Sequence, residues 1–136
     1  MKPETAAALN RARAAIRKAA VMMANDFPDE AGRLSYLAGL NAARAYVFEL
    51  TGKVAKTHSG THSEFSRLLR DDLRFGDGHR RFLGQHFAMK AAADYGDSVS
   101  SGSDAEAAVQ AMTRAGELIA AIEAAMTAPT DREDMT

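Results

Sequence analysis

Cysteine and tryptophan are absent from this 136-residue chain, and only 7% of its residues are aromatic. Without cysteine there is no disulfide, no thiolate metal site and no cysteine nucleophile, which fits a reducing cytosol. So few aromatics leave no platform on which successive bases could stack; Phe75 and Phe82 alone flank the most basic segment. Charge of either sign is not in excess, with 17 Lys and Arg against 18 Asp and Glu. A net charge of -1 gives no global pull toward nucleic acid or an anionic membrane, so any such binding must come from a local patch. No apolar run approaches the roughly 18–20 residues that a membrane span requires. The first turns, MKPETAAALNRARAAIRK, carry charge throughout and lack the apolar segment of a signal peptide. A cytoplasmic protein without membrane contact is expected. Sustained alternation of β-branched residues is missing too, which removes the basis for any strand.

What remains is helix. Residues 5–24 place Leu9, Ala12, Ile16, Ala19 and Met23 at helical spacing, after Pro3 and Glu4 at a tolerant helix start. Asn25-Asp26-Phe27-Pro28 is a break, and Asp29 and Glu30 favour the next N-terminus. A central helix then runs to Leu50 and stops at Thr51-Gly52. It is apolar around most of its circumference, so it must lie inside a bundle, with Tyr36, Leu37, Leu40, Val47 and Phe48 largely buried. A polar connector over 53–60 leads to a shorter helix over 62–73, and Phe75-Gly76-Asp77-Gly78 forms a turn. A fourth helix spans 79–95, a loop follows over 96–102, and Ser103-Asp104-Ala105-Glu106 resembles a capping box opening the last helix. The reading is all-α: an up-and-down bundle of four to five helices, one domain over 1–128, with 129–136 a charged, flexible tail. Abundant alanine implies close helix approach, and the short first connection makes the two long helices antiparallel neighbours.

Three features could carry chemistry. His58 and His62 are four residues apart, but no third ligand stands beside them, so helix capping and packing outweigh a metal site. Arg67, Arg70, Arg74, Arg80 and Arg81 crowd one stretch with His79, either as a solvated mixed-charge face or as a phosphate-contacting patch. Arg81-Phe82-Leu83-Gly84-Gln85-His86 contains arginine, four residues, then histidine; on a continuous helix these ends stand roughly 140° apart. Gly76-Asp77-Gly78 lacks the context of a phosphate-binding glycine loop.

Gly32-Arg33 leading into Tyr36-Leu37-Ala38, the Asn41-Ala42-Ala43 step, Lys56-Thr57-His58-Ser59-Gly60, Ser63-Glu64-Phe65 and Ala93-Asp94-Tyr95 occur in an order and spacing that resemble the stand-alone bacterial branch of the HEPN family. The resemblance implies a four- to five-helix bundle, a homodimer, and a place beside a small nucleotidyltransferase in a toxin–antitoxin or defence pair. It also implies association with RNA or nucleotides. Active members are metal-independent endoribonucleases in which an arginine holds the scissile phosphate. A histidine four to six residues later acts on the ribose 2′-hydroxyl proton.

Arg81 and His86 are the candidates for that pair here, with no metal and no cofactor. The central helix carries Asn41 where many relatives have histidine, and asparagine cannot take a proton at neutral pH. Arg33, Asn41 and Arg44 nevertheless fall within roughly 80° of helix arc as a polar stripe. Together with Lys56, Thr57 and His58, whose segment could hold an anion at a helix start, they are the candidate binding residues. The competing expectation is a non-catalytic helical dimer that binds a protein partner.

Overall fold

The computed structural model describes residues 1–95 and 102–127; the side chains of 89, 92–95 and 102–104 lie outside that description. Five helices make up the described chain: α1 (Pro3–Ala24), α2 (Pro28–Thr51), α3 (His58–Leu69), α4 (Asp77–Tyr95) and α5 (Gly102–Thr127). Among the described residues there is no strand, and the architecture is an all-α bundle.

Proline at the first turn starts both α1 and α2, where its missing N–H costs nothing. Helix α2 ends at Gly52, whose φ of 71° is the left-handed conformation that glycine adopts without strain. Two helices joined by three residues must run antiparallel, and Lys2 at the start of α1 accordingly meets the end of α2. Its Nζ donates to the carbonyls of Phe48 and Glu49 at 3.3 and 2.9 Å, placing a cation at the negative end of the helix. Glu49 in turn accepts from the Lys2 amide and the Thr5 hydroxyl at 2.9 and 2.8 Å. Arg13 pairs with Glu123 and ties α1 to α5.

Helix α2 touches all four other helices. Its buried residues are mostly small: Ala31, Gly32, Ser35, Ala38, Gly39, Ala42, Ala43 and Ala45, with Tyr36, Leu40, Tyr46 and Val47 filling the wider gaps. Of the five residues expected to be largely buried, Tyr36, Leu40 and Val47 are, whereas Leu37 and Phe48 are only half-buried. Tyr46 packs edge-on against Phe65 and Phe75 at ring distances of 5.7 and 5.4 Å and donates to Asp72 at 2.7 Å.

The bounds of α3 differ most from the sequence reading, and α4 begins at Asp77 rather than at 79. Helix α3 starts at His58 rather than at 62, because Thr57 caps it: its hydroxyl oxygen accepts from the Gly60 amide at 2.9 Å. It ends at Leu69 rather than at 73. Arg80 donates to the carbonyls of Leu69 and Asp72, and Arg74 binds Asp72, which closes the chain into a turn. Leu73 is left 94% exposed while Phe75 is buried. Ser103 and Asp104 of the proposed capping box and the charged tail over 129–136 lie outside the described side chains.

Helix α4 approaches α2 closely at Gly39. A Cβ there would lie 2.1 Å from Cε1 of Phe82, a fully buried ring. Gly39→Ala is therefore expected to cost about 1–3 kcal/mol through overpacking. Gly116→Ala on α5, where a Cβ meets nothing within 4 Å, should be neutral or stabilising by about 0.5–1 kcal/mol. Urea unfolding of the two variants checks this; equal effects would contradict the packing described.

Candidate functional site

Moving the start of α3 to His58 puts His58 and His62 one turn apart on the same helix, and both rings then face α2. There the Tyr36 hydroxyl lies 2.7 Å from His62 Nε2 and 3.2 Å from His58 Nδ1. The Phe87 ring of α4 packs edge-on against all three, at 5.7 Å from Tyr36, 6.2 Å from His58 and 5.9 Å from His62. Helices α2 and α3 thus share one hydrogen-bonded cluster, packed against a ring from α4. Burial raises the Tyr36 pKa to about 12, against the opposing field of Arg44, so its hydroxyl keeps its proton throughout the physiological range. Burial, and secondarily the nearby His58, lowers the His62 pKa below its ordinary value and leaves the ring neutral at pH 7.

His62 is also the link between this cluster and the surface. It lines a hollow of about 310 Å³ between α3 and α4, together with Ser66, Arg80, Arg81, Leu83, Gly84 and Gln85. Arg81 and Gln85 line a second hollow of about 370 Å³ on the other side, shared with His79, Arg114 and the glycines of the turn. Most of the crowded arginines are already engaged. Arg67 pairs with Glu64 and Arg74 with Asp72, while Arg80 holds two carbonyls and Asp77. Arg81 is exposed and makes no hydrogen bond or ion pair among the described residues. A free guanidinium standing over a groove that contains a neutral imidazole can bind a phosphate oxygen and offer a base beside it.

The expected pairing of Arg81 with His86 is not brought together. Both residues sit on the continuous helix α4, Arg81 outward and His86 inward at 8% exposure, with its ring 4.7 Å from that of Phe82. Burial, with a smaller contribution from Arg114, lowers the His86 pKa; its Nε2 is enclosed without a hydrogen-bond partner among the described residues.

The polar stripe on α2 is divided. Arg33 pairs with Glu30 at 2.7 Å. The Asn41 amide donates to the Leu37 carbonyl, and its oxygen accepts from Arg11 at 3.4 Å. Arg44 lines a small cleft with Arg11, Glu4 and the connector residues Val54 and Ala55, and its Nε is buried without a hydrogen-bond partner among the described residues. Lys56 is exposed, and Thr57 is committed to its cap. Of these candidates only His58 joins the Tyr36 cluster. Among the described residues no three His, Asp or Glu groups gather as a metal would need.

The HEPN domain family model matches residues 5–124. The chain belongs to the HEPN family. That span takes in α1 to α4 and most of α5, so the Tyr36 cluster and the α3/α4 groove lie inside the HEPN domain. No curated protein matches the chain significantly.

A site of this kind has a measurable signature. Because its folded-state pKa is depressed, His62 should titrate below about 6.5 in an NMR pH series, and a proton-accepting role would fade as the pH falls through that midpoint. A midpoint at or above 6.5 would contradict the burial described.

Proposed function

We propose that this HEPN protein associates with RNA and cleaves it as a metal-independent endoribonuclease in the groove between α3 and α4. Arg81 holds the scissile phosphate and His62 accepts the ribose 2′-hydroxyl proton. The observation that carries the reading is a single hollow bordered by a neutral histidine and an unengaged arginine, with no carboxylate on its wall. Arginine can grip a phosphate bidentately. A base with a pKa near neutrality contributes most when it is unprotonated at the working pH. In this reading Arg81 keeps the role expected from the sequence, and the base comes from α3 rather than from His86.

The protein acts in this reading as a homodimer within a toxin–antitoxin or defence pair, beside a small nucleotidyltransferase-type partner. A second reading, a non-catalytic helical dimer that binds a protein partner, is favoured by the separation of Arg81 from the buried His86. Cleavage of structured RNA by the purified protein decides between them. Cleavage should persist in EDTA and fall about 10²-fold in Arg81→Ala, the loss typical of one charge-stabilising donor. No cleavage by wild type would favour the binding reading, and abolition by EDTA would remove the proposed chemistry.

A further inference from the structure

A partly buried guanidinium is costly unless it meets an acceptor. Arg44 on α2 is half-buried and makes no hydrogen bond or ion pair among the described residues, and its Nε is enclosed. An acceptor can then reach only its outer nitrogens, from the cleft of about 80 Å³ that it lines between α1 and the connector. Arg11 stands on the wall of the same cleft. Its Nε donates to Asn41 Oδ1 at 3.4 Å, and its terminal nitrogens have no partner among the described residues. Facing these two cations is one carboxylate, the exposed Glu4, which pairs with neither. The remaining walls are apolar: Ala8, Phe48, Val54 and Ala55. Val54 is 65% exposed, and with Ala55 it also lines a larger hollow of about 460 Å³ that contains Val47 and Lys53.

We propose that this cleft is the docking site for an acidic side chain of a partner protein, a glutamate whose neighbouring apolar residue rests on Val54. Two arginines against one glutamate leave a single positive charge on the walls, which one carboxylate neutralises. A carboxylate presents two coplanar oxygens, the geometry that a guanidinium grips bidentately. The cleft has room for one such group, and its apolar walls suit the methylenes of a glutamate. A ribose–phosphate unit is too large for it and would set sugar hydroxyls against Ala8 and Phe48. The exposed Val54 and the hollow beside it distinguish a protein segment from a free anion. Only a segment fills both, with its carboxylate in the cleft and an apolar side chain in the hollow. Lys53 and Lys56, both exposed on the connector, extend the preference for an acidic segment. Neither Arg81 nor His62 takes part, so the inference stands apart from RNA cleavage between α3 and α4.

The test titrates the ¹⁵N-labelled full chain with two probes, acetyl-Leu-Glu-Leu-amide and acetyl-Leu-Gln-Leu-amide, which differ by one carboxylate. The glutamate peptide should shift the amides of Val54 and Ala55 and the Arg44 side-chain resonance saturably in the millimolar range. It should bind about tenfold more tightly than the glutamine peptide, the difference expected of one charge-assisted contact. Arg44→Gln should erase that preference, and Glu4→Gln, which removes the competing carboxylate, should strengthen binding of the glutamate peptide. Equal binding of the two peptides by wild type, or no saturable shift up to about 10 mM, would overturn the proposal without any variant needing to fold. Acetate, inorganic phosphate and a short single-stranded RNA are the competing probes. If any of them binds in the cleft as tightly as the glutamate peptide, the site is one for free anions or RNA and the proposal falls. Loss of self-association in Arg44→Gln, read by light scattering, would give the cleft to a second copy of the chain and overturn it as well.

Discussion

Helix α2 is enclosed by the other four helices, and this enclosure sets the terms for everything around it. A helix packed against four others cannot bury large residues everywhere, which is why its buried positions are mostly small, interrupted by Tyr36, Leu40, Tyr46 and Val47. Gly39 lets α4 come close enough for Phe82 to lie directly on the α2 backbone. Phe87, five residues further along α4, packs against Tyr36. The same enclosure removes Tyr36 from water, so its hydroxyl must find partners inside the fold, and His58 and His62 supply them. The packing constraint and the arrangement of the site are therefore one problem solved by one helix.

The electrostatic arrangement follows from the same geometry. Desolvation raises the Tyr36 pKa and lowers that of His62, so these two groups are uncharged at neutral pH and can sit against apolar neighbours at modest cost. Beyond His62 the protein opens to a groove with basic side chains. Arg80 there is held by backbone carbonyls and anchors the turn, whereas Arg81 on the next position is left to the solvent. Sequence proximity thus conceals a division of labour: one arginine closes α3, and its neighbour is available for a ligand.

Much of the fold was legible because the helical signals are local. Prolines at 3 and 28, the glycine at 52 and the apolar girdle of α2 each act within a turn or two, and the five helices follow from them. The HEPN resemblance, carried by short pieces spread over the chain, agrees with the family match over residues 5–124. The site was less legible. Thr57-His58-Ser59-Gly60 reads as a loop because glycine and hydroxyl residues favour turns, yet here threonine is a cap and glycine occupies the first helical turn. A Cβ at Gly60 would approach Thr57 Oγ to 2.8 Å, so the residue that looks like a breaker permits the cap. With the helix start misplaced by four residues, the one-turn spacing of His58 and His62 lost its meaning. The pairing with Tyr36, more than twenty residues away, is tertiary and leaves no local signal. By contrast, the spacing from Arg81 to His86 is conspicuous in sequence, but helix geometry turns one outward and the other inward.

The central claim is that the histidine serving this groove is His62, held by Tyr36, and not the buried His86. The most direct measurement compares RNA cleavage by His62→Gln and His86→Gln, both shown to be folded by their unfolding midpoints. The account predicts that His62→Gln loses about 10²-fold or more in rate while His86→Gln retains cleavage near the wild-type level. Loss confined to His86→Gln, with His62→Gln fully active, would contradict it.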